Sequence, residues 1–258
     1  MRTWDIVNGM NVIVNNLLVN FTRTGNGPTM LFVHGWADQL STFDTLIQYF
    51  QNDYEIVLLD LPGAGKSQMP QVAWSLDDYA QHVADFTKKI GIKPNVVIGH
   101  SNGGAIAIKA IATGMLSTQN LVLLSSAGIR NDKNVRRLLW NLTAKAGKAA
   151  TIALPTAIKQ KMRARLYKSA GSDLTIAPHM EATFKRIVGE DIRENAAQLK
   201  IPTLIISGSK DSSTPPSYGR AFHSLIEGSQ FALINDAGHF AHQTNTDEVA
   251  NYMKGFIK

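Results

Sequence analysis

Three residues far apart in the chain have the types and the order needed for acyl transfer. Gly99-His100-Ser101-Asn102-Gly103 sets a serine between two glycines, with the apolar run "NVVI" before it and the small-residue run "NGGAIAI" after it. That context predicts a sharp strand-to-helix turn, with glycines where side chains would crowd the backbone and the serine exposed at a helix N-terminus. A serine hydroxyl is a weak nucleophile. It needs a base, and the base needs a carboxylate to orient it. Asp211 closes "IPTLIISGSKD" and His239 closes "FALINDAGH". Both therefore fall where strands of a parallel sheet deliver functional groups, at their carboxyl ends. Negative charge developing on a substrate oxygen would be met by the N–H of Asn102, next to the nucleophile, and by that of Trp36 in "HGWADQ".

Neighbouring groups compete with this assignment. His34, Gly35 and His100 are candidates for lining the substrate pocket. Of these, His100 should point away from it on the turn, and His34 should hydrogen-bond beneath the loop that carries Trp36. His242 lies three residues past His239 and is expected to be structural. Asp236 is the rival acid, but it is too near His239 in sequence to reach the far side of its ring and suits a turn. Ser125 and Ser126, at another strand end, cannot serve as an acid.

A second motif invites a different reading. "DLPGAGKS" (60–67) ends like a phosphate-binding loop, yet such a loop requires glycine at position 60, where this chain has Asp. Pro70 then follows too soon for the helix whose amides would face a phosphate. The glycines are better read as a tight turn after a strand, with Lys66 as a rim charge.

Strand-length apolar runs alternating with helical spacing must position these groups. The expected strands include two around Asn15-Asn16, then 29–35, 54–63, 95–101, 120–128, 201–211 and "SQFALINDAGH". Helices are expected at 41–50, with Ser41 and Asp44 as a capping box, at 75–91, with a Ser cap and a closing Gly, and at 102–114. Near-continuous Val, Ile and Leu strands separated by helices mean a mostly parallel sheet covered on both faces. The predicted class is α/β. The core spans 1–129 and 196–258, and residues 130–195 show only helical spacing and form an insertion.

That insertion holds most of the basic charge. Residues 130–172 contain eleven Lys and Arg against one acid, Asp132, in a chain whose total is +6. Val135, Leu138, Leu139, Leu142 and Ala146 form one apolar stripe, and Ile158, Met162 and Leu166 another, so two amphipathic helices are expected there. The basic face is read either as a solvated surface or as a dock for an acidic partner, such as an acyl-carrier protein or an anionic surface. No motif accompanies it that would suggest nucleic acid. The chain has no cysteine, which excludes disulfides and thiol catalysis. With no signal-like or membrane-spanning apolar run, a cytoplasmic protein is expected.

Taken together, "LFVHGW", "LLDLPGAGKS", "VIGHSNGG", "PTLIISGSKD" and "DAGHF" resemble, in order and approximate spacing, the α/β-hydrolase superfamily. The nearest resemblance is to capped serine carboxylesterases, including the biotin-pathway methyl esterases. The resemblance implies that 130–195 is a helical cap over the pocket. It also implies a small-molecule ester or thioester substrate, with no metal or organic cofactor. Ser101 sets the chain apart from relatives with an aspartate nucleophile. Two alternatives remain at this stage: a ligand receptor on the same fold, and a non-hydrolytic enzyme such as a cofactor-free peroxidase or a lyase.

Overall fold

The computed structural model describes residues 9–130 and 180–257. Eight strands form one sheet: β1 (Met10–Val14), β2 (Leu17–Thr24), β3 (Thr29–Val33), β4 (Glu55–Leu59), β5 (Val96–His100), β6 (Asn120–Leu124), β7 (Thr203–Gly208) and β8 (Gln230–Ile234). Their order is β1-β2-β4-β3-β5-β6-β7-β8. Pairing is antiparallel for β1–β2 and β2–β4 and parallel from β4 to β8. The β1–β2 hairpin turns at Asn15 and Asn16, with φ of 47° and 63°, a left-handed pair that Asn tolerates better than other side chains.

Alternation along the strands builds two cores. In β3, Leu31 and Val33 face one layer and Met30 and Phe32 the other, all fully buried. The first layer holds α2 (Leu76–Ile90), α3 (Asn102–Ala112), α5 (Arg193–Gln198) and α6 (Pro216–Leu225). The second holds α1 (Asp44–Ile47), α7 (Ala241–Thr244) and α8 (Thr246–Phe256). Strands buried on both faces are what continuous apolar runs require.

Helix α2 begins and ends as its sequence predicts. Ser75 Oγ accepts from Asp78 N–H, Asp78 Oδ2 accepts from Ser75 N–H at 2.7 Å, and Gly91 closes the helix at φ 72°. The expectation at 41–50 is corrected. Leu40–Phe43 is a 3-10 turn leading into the short α1, and Ser41 makes no capping bond. The entrance is held instead by Asp60 Oδ1, which accepts from Leu40 N–H at 2.8 Å.

Asp60 explains the "DLPGAGKS" turn. Its carboxylate is buried, and its other oxygen accepts from Asn20 Nδ2 at 2.7 Å and Lys66 N–H at 2.8 Å. Ser67 Oγ donates to the Asp60 carbonyl at 2.7 Å and accepts from Asn20 N–H at 2.9 Å. Gly65, at φ 52°, passes so close that a Cβ there would lie 2.2 Å from Asp60 Cγ. The turn thus wraps its own aspartate rather than a phosphate. Replacing Asp60 by Ala strands three donors, so a stability loss of about 3 kcal/mol or more is expected in urea titration. A loss below about 1 kcal/mol would contradict this account.

Residues 131–179, on which the expected amphipathic helices and the expected acidic-partner surface fall, lie outside the described residues. The adjoining end of the expected cap is helical: α4 (Glu181–Val188) precedes α5, which packs between α3 and α6. Ile192 N–H donates to the Gly128 carbonyl at 2.9 Å, joining the end of the insertion to its start. Among the described residues, no helix is long and apolar enough to cross a membrane.

Candidate active site

Strand β5 ends at His100 and α3 starts at Asn102, so Ser101 alone makes the turn, at φ 51° and ψ −118°. Such a conformation costs roughly 1–3 kcal/mol and persists only when its surroundings fix it. They do so from both sides. Ser101 N–H donates to the Leu124 carbonyl at 3.0 Å, and Ala127 N–H donates to the Ser101 carbonyl at 2.9 Å. The flanking glycines are sterically required: a Cβ on Gly103 would lie 2.0 Å from the Val33 carbonyl oxygen, and one on Gly99 2.5 Å from Gly104 Cα.

Two strands away, the loops after β7 and β8 bring Asp211 and His239 together. His239 Nδ1–H donates to Asp211 Oδ2 at 2.8 Å, which fixes the tautomer and leaves Nε2 as the basic nitrogen. Asp211 Oδ1 accepts from the N–H groups of Ser213 and Thr214 at 2.8 and 3.0 Å. Thr214 Oγ1 sits 2.8 Å from both Asp211 Oδ2 and the Ser125 carbonyl, and 3.1 Å from His239 Nδ1. Burial pushes the Asp211 carboxyl up. The bond from His239, its charge and the Thr214 donors outweigh that and hold the group below the usual carboxylate value. Sequence reasoning passed over Thr214, although an Asp followed three residues later by a hydroxyl is a recognisable local loop signal.

The rival acid points elsewhere: Asp236 occupies a turn at φ 58° and pairs with Lys210 at 2.8 Å on the surface. Ser125 contributes its carbonyl to Thr214.

The loop expected to receive an oxyanion follows β3. His34 is fully buried; its Nδ1–H donates to the Gly35 carbonyl at 2.7 Å and its Nε2 accepts from Leu61 N–H at 2.9 Å. It therefore ties this loop to the "DLPG" turn, and burial lowers its pKa. Gly35 approaches Ser101 so closely that a Cβ would lie 3.1 Å from Ser101 Cβ. The Trp36 ring lies 5.3 Å from that of Phe184 of α4, tilted by 48°, and Ala37 turns the loop with a left-handed φ of 51°. His34, Gly35, Trp36, Leu61, Asn102 and Met180 share one pocket.

His100, a candidate for the lining, is not among the residues that line this pocket. Its ring lies 4.8 Å from that of His239 and 4.4 Å from that of His242. Its Nε2–H donates to the His239 carbonyl at 3.1 Å. His242 is buried, with Nε2 3.3 Å from Thr42 Oγ1. No hydrogen bond among the described residues joins Ser101 Oγ to His239 Nε2. In unliganded enzymes such contacts are often long and tighten only with substrate bound.

The family model described as serine aminopeptidase, S33, matches residues 26–247. The chain belongs to the S33 serine aminopeptidase family. Its fold is the α/β-hydrolase fold, and it is a hydrolase-family enzyme. The S33 chain is 24% identical over 254 residues to 2-hydroxy-6-oxo-6-(2'-aminophenyl)hexa-2,4-dienoic acid hydrolase of Metapseudomonas resinovorans, covering 92% of this chain and 86% of that one. It is likewise 24% identical to lipase 1 of Psychrobacter immobilis, covering 92% and 79%. The enol-lactonase structure from Burkholderia xenovorans LB400 superposes with a TM-score of 0.76 at 19% identity, covering 96% of this chain and 99% of that one. These relatives are named as a dienoic acid hydrolase, a lipase and an enol-lactonase, so the site itself must carry the functional argument.

Proposed function

We propose that this protein hydrolyses a carboxylic ester, or thioester, through an acyl-enzyme. Ser101 Oγ attacks the carbonyl carbon while His239 Nε2 takes its proton. Asp211 holds the resulting imidazolium, and the amides of Trp36 and Asn102 receive the oxyanion. The tetrahedral intermediate collapses, and His239 returns the proton to the leaving alcohol. Water, deprotonated by the same histidine, then attacks the acyl-enzyme, and His239 passes that proton to Ser101 Oγ as the acid leaves. The observation that carries this reading is the strained Ser101 turn set beside a base loop whose histidine is already oriented by Asp211. An apolar lining of Trp36, Leu61 and Met180 suits an acyl group better than a charged amino terminus.

Turnover tests it. Sustained release of p-nitrophenol from short p-nitrophenyl esters is expected, with aminoacyl p-nitroanilides much slower. Fluorophosphonate should label the wild type and not Ser101→Ala. A single stoichiometric burst would favour a receptor that processes its ligand once. Equal labelling of Ser101→Ala would overturn the assignment outright.

A further inference from the structure

His100 adjoins the nucleophile, yet no step above uses its side chain. Its ring is 1% exposed. Because the His239 carbonyl can only accept, the hydrogen of this bond belongs to His100 Nε2. Burial, then the nearby His242 and His239, hold the ring's pKa well below the ordinary value, so the ring is neutral and Nδ1 is a bare lone pair. That lone pair faces Asp38 Oδ2 at 4.0 Å. Neither atom has a hydrogen-bond partner among the described residues. The carboxylate is fixed in place, because Asp38 Oδ1 accepts from Gln39 N–H at 2.9 Å.

Two acceptors that face each other away from solvent are costly to leave unpaired unless something donates to them. At 4.0 Å they are too far apart for a direct bond. One water donating twice at about 2.8 Å spans a gap of about 4–4.5 Å. We propose that Asp38 and His100 bind a single buried water, and that the strut Asp38–water–His100–His239 carbonyl positions the base loop against the oxyanion loop. Asp38 lies two residues beyond Trp36, so the strut spans from the loop that receives the oxyanion to the backbone of the base, passing behind Ser101. Both are positioning residues, and their kinetic effect rests on the esterase reading above.

The test has a structural arm and a kinetic arm. A crystal structure at about 1.5 Å should show a water about 2.6–3.2 Å from both Asp38 Oδ2 and His100 Nδ1. Nitrogen-15 NMR of the imidazoles should show His100 neutral and protonated on Nε2. Direct contact between the two side chains, or a ring protonated on Nδ1, overturns the proposal whether or not the protein turns over esters. In the kinetic arm, Asp38→Ala is expected to lower kcat about tenfold with KM unchanged, the scale of a slightly misplaced catalytic group. Asp38→Asn, which can still anchor a water, should recover most of the loss. An unchanged kcat in Asp38→Ala overturns the strut while leaving the esterase reading intact. Failure of the wild type to label or turn over overturns that reading and leaves the water and tautomer to be read directly. If Asp38→Ala does not fold, His100→Gln serves. It keeps a donor for the His239 carbonyl but lacks the nitrogen facing Asp38, so the same tenfold loss is expected, and full activity would overturn the strut.

Discussion

Ser101→Ala is expected to lower kcat/KM on a p-nitrophenyl ester by about 10⁵-fold with the fold intact. On the proposed mechanism Ser101 Oγ forms the covalent bond, and no other described hydroxyl sits on a comparable strand-to-helix turn. His239→Ala should cost nearly as much, and the double variant little more, because a serine without its base and a base without its serine disable the same step. Asp211→Asn is expected to fall by about 10⁴-fold: the amide can hold the ring in the wrong tautomer and no longer balances the imidazolium. Stability should separate from activity here. The substituted alanine would occupy the same left-handed conformation, pinned by Leu124 and Ala127, and the midpoint of urea unfolding should move little. Residual turnover in Ser101→Ala within tenfold of wild type would remove Ser101 from the mechanism.

Mild acid should destabilise the protein strongly. His82 and His242 are buried and their pKa values fall to about 4 and about 3, in each case chiefly through burial. An unfolded histidine titrates near 6.5, so the unfolded chain binds more protons than the native one below that pH. Stability from these groups is therefore complete above pH 6.5 and is lost as pH falls toward their native values. At pH 5 each costs about 2 kcal/mol, together about 4 kcal/mol, a large part of a typical domain's stability. His34 and His100, also depressed by burial, act in the same direction. Urea titrations at pH 7 and pH 5 should differ by at least that amount, and His82→Leu should flatten the slope. A stability that is level from pH 7 to pH 5 would show that these rings accept protons where they sit.

Much of this architecture is legible in the sequence because it is written locally. The Ser101 turn, the Ser75–Asp78 capping box and the Asn15-Asn16 hairpin each depend on residues within a few positions of one another. The strand ends carrying Asp211 and His239 follow from apolar run length and order. What escaped is contact between distant segments. Ser41 and Asp44 have the spacing of a cap, but Asp60, arriving from the next strand, already holds that backbone, and the chain winds into a 3-10 turn. Asp60 itself reads as a failed glycine of a phosphate loop, and nothing within "DLPGAGKS" says that its partners are Asn20 and Leu40. Asp38 has no motif at all, and its importance appears only when His100 is seen to face it.

The Asp60 hub has a dynamic consequence. Through one carboxylate it joins β2 of the N-terminal hairpin, the turn after β4 and the segment that follows the loop carrying Trp36. Segments that share a buried anchor open together, because releasing one exposes the donors of the others. The amides of Leu40 and Lys66, 26 positions apart in sequence, are thus expected to exchange with solvent through one opening, which hydrogen exchange would check. A loosening of the hairpin edge is therefore expected to reach the loop that carries Trp36, and with it the site proposed above.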